Sequence, residues 1–217
     1  MPEDLHRHAT LVDEHESQRP KTVRARHAAS LLVWRDTSGD TEILMGMRGA
    51  KHRFMPNRLV FPGGAVDRAD LSAPFATGLA PRTAAALHRN ANTKLARGLG
   101  HAAARELLEE TGLSLGHPPM LDGLDYLARA VTPTDSPIRF NARFFCVHAS
   151  RVDGTIGGDG ELDSLRYYEM TEALAMDLAG PTRRMLEQLR TWLTLSDAER
   201  DARVHVPVLK DRGWKME

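Results

Sequence analysis

Apolar and polar positions divide the chain into short blocks of two different periods. Residues 1–26 are polar, with His6, His8 and His15 scattered among charges, and read as a loosely docked arm ahead of a domain spanning 27–217. From Ala28 the pattern changes. Ala29–Trp34 and Glu42–Met47, separated by Ser38-Gly39-Asp40, predict a hairpin. A basic loop carrying Arg48, Lys51, Arg53 and Arg58 leads into Leu59-Val60-Phe61 and a Pro62-Gly63-Gly64 turn. Further strands are predicted over Leu124–Val131, Ile138–Ala149 and Leu165–Tyr168. Thr171 has the chemistry of a helix N-cap. Met185, Leu186, Leu189, Trp192 and Leu193 recur at helical spacing within a helix over Thr182–Leu195, a stripe that belongs to a core.

Between these blocks lies a segment with neither period sustained for long. Residues 68–98 open with the turn-like Asp70–Pro74 and become alanine-rich from Pro81, predicting one or two short helices interrupted near Asn90–Asn92 and at Gly98–Gly100. A helix over about 101–111 follows and stops at Gly112, a fitting left-handed cap. Gly154–Gly160 holds four glycines and reads as a loop with freedom to close over a neighbour.

Composition narrows the class. Of 217 residues, 41% are hydrophobic and 27% charged, ordinary for a globular domain with one elaboration. The 29 basic and 29 acidic residues cancel, which argues against a non-specific nucleic-acid track or a membrane surface. A single cysteine, Cys146, in the apolar run Phe144–Val147, excludes a disulfide framework and predicts a buried strand thiol. No apolar stretch approaches the roughly 20 residues a membrane span requires. Neither end reads as a signal peptide or peroxisomal address, so a cytoplasmic protein is expected.

The chemistry concentrates in residues 105–113, Arg-Glu-Leu-Leu-Glu-Glu-Thr-Gly-Leu. Glu106, Glu109 and Glu110 at i, i+3 and i+4 crowd one helix face, where like charges repel. A solvated acidic face is the plainer reading; a divalent cation, which prefers hard oxygen donors, resolves the conflict and is the reading preferred.

That string resembles the second half of the Nudix box, G-x5-E-x7-R-E-U-x-E-E-x-G-U with U aliphatic, and Phe61-Pro62-Gly63-Gly64 resembles the turn that opens it. The spacing departs from the family pattern: Gly64 and Arg105 lie 41 positions apart rather than 14, and Arg97 stands where the box has its first glutamate. That glutamate supports the box arginine, so Asp67 or Asp70 is expected to substitute. The resemblance implies an α/β/α sandwich, a mixed β-sheet with a helical insertion, performing hydrolysis of a nucleoside diphosphate linked to another moiety with Mg²⁺ or Mn²⁺. It implies metal ligation by Glu106, Glu109 and Glu110 with the Gly63 carbonyl nearby, a structural Arg105, and proton acceptance by Glu109 or by a later-loop acid, for which Glu161 is the candidate. Glu161 reads equally well as a solvated loop residue.

Val66-Asp67, Val131–Pro133 and Arg139–Phe145 are similar to the branch that includes peroxisomal coenzyme A diphosphatases, which also tolerates a helical insertion. Coenzyme A or an acyl derivative is therefore the first expected substrate, then ADP-ribose or a nucleotide sugar. Arg48, Arg58 and Arg139 are candidates for gripping substrate phosphates; Arg143 would share that role or form surface ion pairs. A homodimer is compatible with the sequence. The rival expectation is a catalytically silent ligand-binding or regulatory module of the same fold, which the three box carboxylates disfavour.

Overall fold

The computed structural model describes residues 23–49, 57–211 and 213–217. The expected N-terminal arm up to residue 22, with His6, His8 and His15, lies outside the described residues, as do Lys51 and Arg53. In chain order the elements are β1 (Arg26–Asp36), β2 (Thr41–Arg48), β3 (Leu59–Val60), β4 (Gly63–Ala65), α1 (Pro81–His88), α2 (Thr93–Thr111), β5 (Leu113–Ser114) and β6 (Asp125–Val131). They continue with β7 (Phe140–His148), β8 (Asp153–Gly154), β9 (Leu162–Glu169), α3 (Met170–Ala175), α4 (Gly180–Leu193), α5 (Asp197–Asp201), β10 (Pro207–Lys210) and β11 (Gly213–Met216).

A mixed sheet runs β11-β10-β6-β7-β1-β2-β3, with β4 added to β1 and β9 to β2. The hairpin β1–β2 is antiparallel as its turn predicts, whereas β1 and β7 pair in parallel from Arg26↔Phe140 to Trp34↔His148. Alternation along β1 separates two apolar layers. Ala29, Leu31 and Val33 face α1 and α2 with Phe145, Leu99 and Leu107, while Leu32 faces α4 with Ile43, Cys146, Leu186 and Trp192. Each such fully buried aliphatic side chain contributes about 1.5–3 kcal/mol. Cys146 is buried as expected, and burial pushes its thiol pKa far up, so it is no nucleophile. No described helix is long and apolar enough to cross a membrane.

Two expectations are corrected and one element is added. First, α2 is not interrupted at Gly98–Gly100. It begins at Thr93, where the Asn92 side chain caps Leu95 N–H at 2.9 Å, and runs 19 residues to Gly112, whose φ of 72° ends it. The two glycines are contact points rather than breaks: a Cβ on Gly98 would lie 2.6 Å from Leu71 Cδ2, and one on Gly100 3.1 Å from Leu121 Cδ1. Second, Thr171 sits inside the first turn of α3 rather than capping it, and its N–H and hydroxyl both donate to Asp40 Oδ2 at 2.9 Å. Third, β10 and β11 form a hairpin that the pattern did not signal, carried by pairing of β10 with β6.

The insertion is packed rather than loose. Leu87, Ala91 and Ala96 join the core, and Thr83 donates to Leu124 O at 2.7 Å from inside α1.

Candidate active site

The last turns of α2 lie against the β4 turn, where two glycines allow a close approach. A Cβ on Gly64 would fall 2.1 Å from Glu106 Oε1 and would displace that carboxylate from its place against the turn. A Cβ on Gly63 would meet Ser30 Oγ at 2.4 Å. Gly63 contributes its N–H, which donates to Glu110 Oε2 at 2.8 Å. The three glutamates consequently have different surroundings. The Glu110 side chain is 2% exposed, Glu106 14% and Glu109 51%. Burial, reinforced by the Glu106 and Glu161 charges, pushes Glu110 up to about 8 against the opposing effects of Gly63 N–H and Arg48. Burial also raises Glu106, opposed by Arg105.

Arg105 is the hub of the site. Its Nε and NH2 donate to the two oxygens of Asp70 at 3.0 and 3.1 Å, and NH2 also donates to Ala65 O at 3.0 Å. Its NH1 donates to both Glu106 Oε1 and Glu109 Oε2 at 2.9 Å, so one guanidinium separates two of the crowded carboxylates. Desolvation disfavours its charge, but Asp70 and Glu106 outweigh that and hold its pKa above the ordinary arginine value. Of the two aspartates considered as its support, Asp70 is buried and bidentate, while Asp67 stands 4.0 Å away and 63% exposed. Asp67 assists indirectly, its N–H donating to Asp70 Oδ2 at 2.8 Å. Arg97, in the position of the first box glutamate, turns away to Ser72 O and Ala73 O and stacks over Phe75 at 4.8 Å.

Glu161 arrives from the glycine loop, and here the expected freedom of that loop is corrected. It is docked on the C-terminal end of α2: Gly157 N–H donates to Thr111 O at 2.8 Å and Asp159 N–H to Glu109 O at 3.0 Å. Gly158, at φ 107°, passes so close that a Cβ would lie 2.2 Å from Glu110 O. Its glycines permit close approach to a helix end whose carbonyls need donors. Leu162 is paired with Arg48 across β9 and β2, which brings Glu161 beside Arg48. Arg48 NH2 lies 3.6 Å from Glu110 Oε1 and 3.7 Å from Glu161 Oε1.

The remaining arginines fall elsewhere. Arg58 pairs with Asp177 through its side chain. Arg139 donates to Thr132 O at 3.1 Å and Val23 O at 2.6 Å, fastening the entry of β7. Arg143 forms no surface ion pair, because it is fully buried: it meets His27 Nδ1 at 3.0 Å and donates to Asn141 O and to Asn90 Oδ1 and O. It ties the α1–α2 connection to the sheet, a role for which the sequence carries no local signal. Burial lowers its pKa to about 10.

As they stand, the described residues include no group of three His, Cys, Asp or Glu side chains closed up enough to hold a metal ion. The donors themselves are hard carboxylates, and the buried Glu110, facing two further negative charges, is a group that a cation would stabilise.

Comparison with known proteins agrees with this architecture. The NUDIX domain family model matches residues 98–207, half of the chain. A curated Caenorhabditis elegans relative, whose name assigns it to the nudix hydrolases, is 35% identical over 88 residues, 41% of this chain; the chain spans 22% of that relative's length. Among solved structures, a NUDIX hydrolase from Alicyclobacillus acidocaldarius superposes with TM-score 0.59 at 24% identity, covering 76% of this chain and 90% of that one. The NUDIX domain of Shewanella oneidensis NrtR, complexed with ADP ribose, gives 0.53 at 16%, covering 82% and 95%. A MutT NUDIX hydrolase from Burkholderia pseudomallei gives 0.51 at 19%, covering 77% and 99%. At these identities the structural likeness establishes the fold.

Proposed function

The chain belongs to the NUDIX domain family, and from that premise we propose that it is a divalent-metal-dependent diphosphatase that cleaves a nucleoside diphosphate linked to another moiety. The observation that carries this reading is the meeting of Glu106, Glu109 and Glu110 with the Gly63–Gly64 turn around an anchored Arg105. Glu106, Glu110 and Glu109 would hold Mg²⁺ or Mn²⁺, with Glu161 at hand. When bound, such an ion supplies charge neutralisation and Lewis acidity toward a diphosphate whose oxygens already repel an incoming nucleophile.

The side chains then divide the work. Asp70 orients Arg105, and Arg105 fixes Glu106 and Glu109 relative to the turn, which is preorganisation of the kind that lowers a barrier without moving during the reaction. Glu109, half-exposed, or Glu161, on the docked loop, accepts the proton of the attacking water. Arg48 faces the same space and is placed to pair with phosphate oxygens. Arg58 and Arg139 are held by Asp177 and by carbonyls, which makes Arg48 the strongest of the three phosphate candidates.

Coenzyme A or acyl-coenzyme A is our first substrate class, supported by the helical insertion within the box and the strand segments around Val131 and Arg139. ADP-ribose, the ligand in the Shewanella domain's complex, and nucleotide sugars come next. A product-resolved screen of coenzyme A, ADP-ribose, dinucleoside polyphosphates and nucleotide sugars with Mg²⁺ and Mn²⁺ tests the proposal. Turnover of one class that disappears on chelation and in Glu109→Gln is the expected result. Tight ligand binding with no turnover under any metal would instead support a silent binding module.

A further inference from the structure

Among the described residues, two arginines face the glutamates, and they are held in contrasting ways. Arg105 is fixed by five hydrogen bonds, three of them to Asp70 and Ala65 O, groups that are not candidate metal ligands. Arg48, the last residue of β2, reaches Glu110 and Glu161 at 3.6 and 3.7 Å, inside ion-pair range but too long for good hydrogen bonds. Its Nε is buried with no hydrogen-bond partner among the described residues, although the side chain is only 17% exposed. Nearly equidistant from two carboxylates contributed by α2 and by the loop ahead of β9, it acts as a charge set between them rather than as a donor fitted to either.

Removing that charge would leave Glu110 facing Glu106 and Glu161 with, among the described residues, the Gly63 N–H in support. A divalent ion brought to the same carboxylates would compete with Arg48 for them, because a guanidinium and a metal cannot share the same lone pairs at full strength.

We propose that Arg48 is a resident counter-cation of Glu110 and Glu161: it holds the two together before a divalent ion binds, and yields both to the incoming ion and transfers to the substrate diphosphate. This inference rests on the diphosphatase reading and adds to it an exchange of cations within the site. Arg48 is thus a positioning residue in one state and a phosphate ligand in the other.

The test combines Mn²⁺ titration, followed by the loss of free-ion EPR signal, with thermal unfolding of the full chain as wild type, Arg48→Gln and Arg48→Lys. Without metal, Arg48→Gln should melt several degrees below wild type. It should bind Mn²⁺ about tenfold more tightly, and the difference in melting should largely close at saturating Mn²⁺. Arg48→Lys, which keeps the charge, should stay close to wild type in both measurements. Should Arg48→Gln fail to fold alone, Mn²⁺ should restore its folding. An equal melting deficit with and without Mn²⁺ would make Arg48 a plain structural residue and overturn the inference, as would unchanged or weaker Mn²⁺ binding by Arg48→Gln or absence of metal rescue. If wild type and variants all fail to bind Mn²⁺, the diphosphatase reading fails too; if wild type binds Mn²⁺ and Arg48→Gln is no different, only the inference fails.

Discussion

Replacing Asp70 by asparagine perturbs the anchor of the site while leaving its shape nearly unchanged. Asp70 is 3% exposed and receives three donors: Arg105 Nε at 3.0 Å, Arg105 NH2 at 3.1 Å and Asp67 N–H at 2.8 Å. Asparagine keeps one oxygen, but its amide nitrogen must then face at least one of those donors. A hydrogen bond to a charged group contributes about 1.5–3 kcal/mol, and breaking a fully buried pair costs about 3–5 kcal/mol. Arg105 remains 26% exposed and keeps Ala65 O, Glu106 and Glu109, so the cost lies below that of a fully buried pair, about 2–3 kcal/mol. For a chain of this size that corresponds to a melting temperature about 5–10 °C lower. Asp67→Asn, at 4.0 Å and 63% exposure, should change stability by less than about 0.5 kcal/mol. Denaturant unfolding with an unchanged slope measures both variants, and turnover should fall in Asp70→Asn alone, because Arg105, less firmly anchored, holds Glu106 and Glu109 less well in place. Equal midpoints for the two variants, or a larger loss for Asp67→Asn, would refute the assignment of Asp70 as the anchor.

Glu109→Gln should reduce kcat by about 100-fold or more while unfolding normally, since its side chain is half-exposed and removal of a ligand or base acts on the reaction. Glu161→Gln should lower kcat with little change in KM if the loop acid takes the proton, and a wild-type pH profile would return that role to the helix. Gly158→Ala must relocate a Cβ from 2.2 Å off Glu110 O at a positive φ, so it should lower the melting temperature and shift the amide signals of Glu161 and Arg48. His27 and His101 have pKa values held below the ordinary 6.5, chiefly by burial. The unfolded chain therefore takes up protons first: their contribution is intact above about pH 6.5 and declines as pH falls toward the folded values. Glu110, raised to about 8 by burial, works in the opposite sense over the same window, so the comparison is with His27→Asn: its unfolding midpoint should rise relative to wild type on acidification from pH 7 to 5, and a constant difference would refute the histidine contribution.

Local pattern carried much of this architecture. The β1–β2 hairpin, the buried Cys146 strand, the Met/Trp stripe of α4 and the glutamate-bearing end of α2 each depend on period, turn chemistry or cap residues that neighbours in sequence determine. What escaped was decided by contacts at long range. Gly98 and Gly100 have the composition of a break, yet they serve close packing against Leu71 and Leu121. Asp67 and Asp70 are equivalent on paper, and only burial distinguishes them. The glycines of residues 154–160 suggest mobility, but Gly158 is there because a helix end passes beside it. Arg143 reads as a surface strand residue until Asn90 and His27 close over it.

The parallel pairing of β1 with β7 bears on how the chain acquires its structure during synthesis. The hairpin β1–β2 and the full glutamate sequence of α2 leave the ribosome well before Phe140, yet β1 gains its central neighbour only when β7 emerges; Arg143 and His27, partners across that seam, are 116 positions apart. Closing so long a loop is entropically costly and slow compared with forming local helices. A nascent chain ended ahead of β7 should therefore carry helix without a completed sheet and expose the Leu31–Val33 stripe to chaperones. The carboxylates of α2 gain a firm floor beneath them only after the last third of the chain has begun to appear.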